Sequence, residues 1–291
     1  MNEDFEKIKS YYNQLNSKRI KKLRISYIAV TLFLFAVLFV TYLKKIPLNV
    51  NFIEADIFRI IILIVIYLSL YLVFNFFIIN FPSRNIFFKF LLPKIVEDIN
   101  AIHNFSIKYE PFPKDKTYLR KGGLFPTVST FINNYKLSFT SERGNNITIY
   151  DTFTASSNRR ERAPFFNGFY YIFNYKSYYY FQLRNNLNPV LKGIKFKRLK
   201  NYNDFREFVQ ENMSHIDEKY YKIYIELMNK YPGLRIYMSG VLDEFHLAIW
   251  RDRLVIAKFK ELTYEIYNSF KKELLEKIEF ANEFEKILND S

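Results

Sequence analysis

The sequence predicts an α+β protein: an N-terminal transmembrane helical hairpin, then one soluble domain with a mainly antiparallel sheet and a long C-terminal helix. Three observations predict it. Two long apolar runs lie at 25–43 and 58–81, the second uncharged from Ile60 onward, and about 20 such residues cross a hydrocarbon core of about 30 Å. From about residue 105 the pattern changes to short alternating segments separated by turn residues, the mark of half-buried strands. Over 261–288, Ile266, Phe270, Leu274, Ile278, Ala281, Phe284 and Leu288 form one helical stripe.

Composition narrows the function classes. The chain has 291 residues, a net charge of +14, 49% hydrophobic residues and no cysteine. The last fact excludes disulfide scaffolds, Cys-ligated zinc, iron–sulfur clusters and thiol nucleophiles. Collagen-like and linker-like classes fall with only 7 Gly and 9 Pro. The 32 Phe and 24 Tyr accompany abundant Ile, Asn and Lys, the set that AT-rich codons encode.

Residues 1–24 place Phe5, Ile8, Tyr12 and Leu15 at helical spacing, which predicts a cytoplasmic amphipathic helix packing on the protein's own cytoplasmic part and feeding the first span. The 25–43 run is too long, and too far from the start, for a cleaved signal peptide. Lys18, Arg19, Lys21, Lys22 and Arg24 precede the first span, and Arg84, Lys89 and Lys94 follow the second. The connecting loop carries Lys44 and Lys45 with Glu54 and Asp56. The positive-inside rule then puts both termini in the cytoplasm of a multi-pass inner-membrane protein. Neither span has an ionisable residue at mid-membrane, which argues against transport. Asn75 in the second span suits a bond to a neighbouring helix.

Residues 82–291 form the predicted cytoplasmic α+β domain. Phe81-Pro82-Ser83-Arg84 breaks the helix and 84–102 restarts it, with a kink at Pro93. Phe105–Tyr109 reads as a strand, 121–126 as a glycine turn, and Ile147–Thr154 as a strand with Asp151 interrupting its apolar face. Ser156–Arg162 is a polar, basic loop. Phe165–Tyr175 and Tyr178–Arg184 read as a strand pair, and Ile194–Leu199 as a further strand. Helices are expected over 204–213 and 215–231, then strands at 234–238, 244–250 and 254–259.

No catalytic constellation emerges. His103, His215 and His246 are far apart and in no HExxH frame, so no metal or cofactor is expected. His246 alternates with apolar Phe245 and Leu247 and is expected to point away from the core. Gly122-Gly123 lacks the spacing of a phosphate loop, and no GxSxG elbow exists. The candidate anion- or lipid-binding residues are two basic clusters: Arg159, Arg160 and Arg162, and Lys195, Lys197 and Arg198. Basic residues gain about 1 kcal/mol each near anionic lipid, which favours the bilayer over nucleic acid as their partner. A protein partner or a homo-oligomer is the other expectation, through the long C-terminal helix.

Gly123-Leu124-Phe125-Pro126, the run Ile147–Phe153, FFNGFYYIFNY at 165–175 and the stretch from Asn203 to Ile249 follow one another in a characteristic order. In this the chain resembles an uncharacterised bacterial family of two-span membrane proteins, domain of unknown function 3137. The resemblance implies the architecture and no activity. The function expected is therefore a non-enzymatic binding or scaffolding module at the membrane surface. The alternative is a membrane-anchored enzyme on an anionic substrate, with Asp151 beside the 159–162 arginines.

Overall fold

A computed structural model describes residues 3–43, 67–68, 71–72, 84–125, 130–155, 166–177, 179–184, 195–201, 205–250 and 262–290. The chain divides into two compact units, Met1–Leu91 with Ile256–Ile266, and Leu92–Val255 with Tyr267–Ser291.

In the first unit, helix α1 runs from Glu3 to Leu43. Its early stripe behaves as the spacing predicts. Phe5 and Tyr12 are buried, Phe5 packs edge-on to Tyr264 at 5.2 Å, and Tyr11 meets Phe90 at 6.2 Å. Burial pushes the Tyr12 hydroxyl up to about 12, partly offset by Arg19. Beyond Arg24 the character changes: Ile25, Ile28, Val30, Leu32 and Phe33 are all exposed. Among the described residues no helix is long and apolar enough to cross a membrane. Most of the 58–81 run, the Pro82 break and the 254–259 strand lie outside the described residues. The helix expected at 84–102 begins with Arg84–Ile86 and widens to a π-helix over Phe87–Leu91. Pro93 lacks the N–H that would bond the Lys89 carbonyl, so a wide turn stands where a kink was expected.

The second unit opens with helix α2, Leu92–His103, which ends in a left-handed Asn104 at φ 55°. A nine-stranded antiparallel sheet follows. Its strands are β1 Lys108–Pro111, β2 Thr130–Thr140, β3 Asn146–Ala155, β4 Phe166–Asn174, β5 Phe181–Arg184, β6 Phe196–Asn201, β7 Arg206–Gln210, β8 Ile236–Val241 and β9 Glu244–Trp250. Their order is β1-β2-β3-β4-β9-β8-β5-β7-β6. Helices α3 Thr117–Lys121, α4 Glu218–Lys230 and α5 Tyr264–Asp290 complete the described elements.

Two expectations are corrected here, and one strand is added. Within the 204–213 segment, Arg206–Gln210 is strand β7, not a helix. Phe205, Phe208 and Val209 are all buried, because β7 lies inside the sheet, and burial on both faces mimics helical spacing. The 165–175 and 178–184 strands do not pair with each other: β4 takes β3 and β9, whereas β5 takes β7 and β8. Strand β2 was not anticipated. Its Tyr135, Leu137 and Phe139 alternate correctly, but a bulge between Asn133 and Tyr135 interrupts the period.

One sheet face packs against α4 and α5. Phe280 meets Tyr171 at 5.3 Å, Phe284 meets Phe173 at 5.0 Å, and Tyr220 meets Phe181 at 4.4 Å. The α5 stripe read from sequence is the one buried here, at Phe270, Leu274, Ile278, Ala281, Phe284 and Leu288. The opposite face is covered by α3 and the loop after it. Tyr118 stacks on Tyr150 at 3.9 Å, and Phe125 meets Phe166 at 4.7 Å and Tyr237 at 5.5 Å.

Candidate functional site

Two groups of polar residues compete for the role of functional site, and their geometry separates them. The first lies beneath α3. Strand register aligns Ile172, His246, Ser239 and Gln182 in one row, and Tyr170, Ala248, Tyr237 and Arg184 in the next. Side chains directly opposite in register share a face, so both rows point at the α3 segment.

His246 is therefore fully buried, which corrects the expectation that it points away from the core. Alternation identifies an outward residue only where one face of a sheet is open, and here both are covered. The Tyr170 hydroxyl lies 3.1 Å from His246 Nδ1, and Nε2 lies 3.1 Å from Glu244 Oε2. Lys121 Nζ closes the chain at 2.6 Å from Glu244 Oε1. Burial holds the imidazole below its ordinary value, against the pull of Glu244, so His246 is neutral. With Tyr170 donating to Nδ1, the ring carries its proton on Nε2. Glu244 is held down to about 2 by His246 and then by Lys121. Burial drives the Tyr170 hydroxyl well above the tyrosine range.

Arg184 completes this group. It is fully buried, donates to Gln182 Oε1 at 3.0 Å and to the Leu124 carbonyl at 2.9 Å, and lies 5.6 Å from the Tyr237 ring centre. Burial lowers its guanidinium to about 10, against the pull of Tyr237. Sheet side chains thus hold two carbonyls of the covering segment, Gly122 by Gln182 at a long 3.5 Å and Leu124 by Arg184, and the Tyr170 hydroxyl lies 3.4 Å from a third, that of Tyr118. Gly122 has an ordinary φ; it is glycine because a Cβ would stand 2.2 Å from the Tyr170 hydroxyl and 2.8 Å from the His246 ring. Gly123 is the one that turns, at φ 65°.

This group fastens rather than reacts. Tyr118, Leu119, Leu124 and Phe125 are buried over it, at about 1.5–3 kcal/mol each. Lifting the cover costs on the order of 10 kcal/mol by the same measure. Sequence reasoning passed over Gln182 and Arg184, although their alternation with the apolar Phe181 and Leu183 was the signal.

The second group is the basic one. Arg159, Arg160 and Arg162 lie outside the described residues. Lys195, Lys197 and Arg198 fall on or just before β6, the last strand in the sheet order. Alternation divides them: Lys197 stands opposite Val209, on the α4 side, and Arg198 opposite Phe208, on the α3 side. Among the described residues none of the three makes an ion pair. Elsewhere in this unit some cations are matched, as in Lys136–Glu110, Arg143–Asp290, Lys271–Asp98 and Lys286–Glu142. A groove of about 590 Å³ adjoins the strand, with Leu199, Phe205, Ile216 and Ile225 in its wall.

Asp151 is fully buried on the α4–α5 side and accepts a hydrogen bond from Asn134 Nδ2 at 2.9 Å. Its neighbourhood, with burial, keeps the Tyr135 and Tyr109 hydroxyls protonated. The histidines are not brought together. His103 is exposed and stacks on Phe105, and His215 is exposed with the Ser214 hydroxyl 3.0 Å from Nδ1. Among the described residues no cluster of His, Asp and Glu suits a metal ion.

No protein-family model matches the chain, and no curated protein matches it. Among solved structures it is similar to the crystal structure of the mycobacterial trehalose monomycolate transport factor A, TtfA. The identity is 13% and the TM-score 0.36, over 62% of this chain and 93% of that one.

Proposed function

We propose that this is a two-span inner-membrane protein, both termini cytoplasmic, whose α+β unit is a non-enzymatic binding module. The observation that carries the reading is the exposure of α1 beyond Arg24. Leu32 and Phe33 are 65% and 68% exposed, and Ile25, Ile28 and Val30 about as open. In water a continuous apolar helix surface of this kind is a liability, whereas in a bilayer it is the required one. The basic cluster from Lys18 to Arg24 sits where the helix would leave the membrane. Tyr27 of the first run stacks on Tyr67 of the second at 6.2 Å and meets Tyr71 in a tilted contact at 5.7 Å. That contact supports a hairpin. The sealed state of His246 and Tyr170 favours binding over chemistry.

The test is fractionation of the expressed full chain. It should pellet with membranes, resist carbonate extraction and enter nonionic detergent, and a C-terminal reporter should be active only in the cytoplasm. Recovery in the supernatant without detergent overturns the anchor; a tail accessible from outside intact cells overturns the sidedness.

A further inference from the structure

We propose that the outer edge of β6, which pairs with β7 alone among the described strands, takes up an acidic, extended segment of a partner protein as a tenth strand of the sheet. The inference rests on the binding-module reading and names its partner class.

Four observations converge. Strand β6 ends the sheet order and pairs with β7 alone among the described strands, so its other side offers main-chain groups to an incoming strand. Residues 192–200, KGIKFKRLK, contain cations and no carboxylate. Lys195, Lys197 and Arg198 make no ion pair among the described residues. On the α4 side the strand runs beside the groove, whose wall holds Leu199, Phe205, Ile216 and Ile225 together with the carboxylates Glu207 and Glu218. An added strand sends alternate side chains to the two faces, so acidic residues on the α4 side would meet Lys197 and those on the α3 side Arg198.

Charge selects the occupant. A second copy pairing edge to edge would set these cations against each other, and like charges directly opposite are destabilising. The opposite edge, β1, has Pro111 in its four residues and carries both Lys108 and Glu110, so it offers a shorter ladder with no net charge. Lysines on an edge also serve to prevent pairing. That role is the outcome that the experiment must separate.

The experiment uses the full chain in nonionic detergent and a fluorescent peptide alternating Glu with Val. The expected result is saturable binding that weakens with salt, drops about tenfold or more with Lys197→Glu/Arg198→Glu, and disappears when alternate peptide nitrogens are methylated. The mutated side chains lie exposed or half-buried on an edge strand, and unchanged Trp250 emission checks that the variant folds. Equal binding of the methylated peptide overturns strand addition, because charge alone then suffices. Preference for a single-stranded oligonucleotide or for anionic vesicles overturns the choice of partner. Absence of any binding leaves the cations as an edge guard and overturns the proposal. Membrane fractionation of the same variant is independent of these outcomes, so failure of the anchor and failure of the edge are read separately.

Discussion

Replacing Gly122 with alanine tests the packing under α3 most directly. The new methyl carbon would stand 2.2 Å from the Tyr170 hydroxyl and 2.8 Å from His246 Cγ and Nδ1. Ordinary contact needs a retreat of about 1 Å. Neither neighbour can give way into solvent, because Tyr170 and His246 are fully buried. Nor can residue 122 rise freely, since its N–H bonds the Tyr118 carbonyl at 3.0 Å. Overpacking of this kind costs about 1–3 kcal/mol. Separating Tyr170 from His246 strands a buried polar pair, at about 1–3 kcal/mol more. The expected loss is about 2–5 kcal/mol, a fall in Tm of about 2–4 °C per kcal/mol for a domain this size. The assay is thermal unfolding in nonionic detergent, followed by the fluorescence of Trp250, the only tryptophan, which packs against the α3 layer. Gly144→Ala is the comparison. Its φ is 87° with nothing within 4 Å of the new methyl, so it carries only the backbone penalty of about 1–2 kcal/mol. If Gly122→Ala melts like the wild type, or later than Gly144→Ala, the close approach of the two layers is wrong.

The same region sets the response to pH and to loss of the buried cation. The folded value of His246 lies below its ordinary 6.5, so the unfolded chain takes up a proton first. The stability contributed is full above 6.5 and is lost as pH falls through the folded value. Glu244, at about 2 against an ordinary 4.5, has the same sign, full above 4.5 and lost as pH falls towards 2. Urea midpoints should therefore drop in two stages on acidification. His246→Gln should flatten the upper stage and Glu244→Gln the lower; a profile unchanged by both refutes the chain from Lys121 to Tyr170. Arg184→Ala should lower the urea midpoint by the equivalent of about 3–5 kcal/mol, the scale for removing one partner from a buried charged network. Arg184→Met fills the volume without a charge to desolvate and should cost clearly less; equal losses would show that the hydrogen bonds to Leu124 and Gln182 dominate.

Where one physical signal decided an element, the sequence was enough. The α5 stripe from Phe270 to Leu288 could be read because one face of that helix meets the sheet and the other meets water. Asp151 was recognisable as an inward carboxylate because β3 alternates without interruption from Ile147. Phe5 and Tyr12 marked the packing face of α1 for the same reason, and the 25–43 run declared its apolar character by composition alone. Fold class, helix faces and the cationic run of 192–200 are properties of short windows, and periodicity and charge report them.

Which strands become neighbours was decided by the whole sheet. Strand β9 displaced β5 from beside β4, and β7 became an interior strand whose burial on both faces mimics helical spacing. The cover over His246 comes from residues 118–125, more than a hundred positions away in the chain, and nothing near His246 announces it. Alternation then separated Lys197 from Arg198, adjacent in sequence, onto opposite faces, and the sheet order placed both on an edge. Such pairings are settled by the summed burial of all the strands, which no short window of sequence contains.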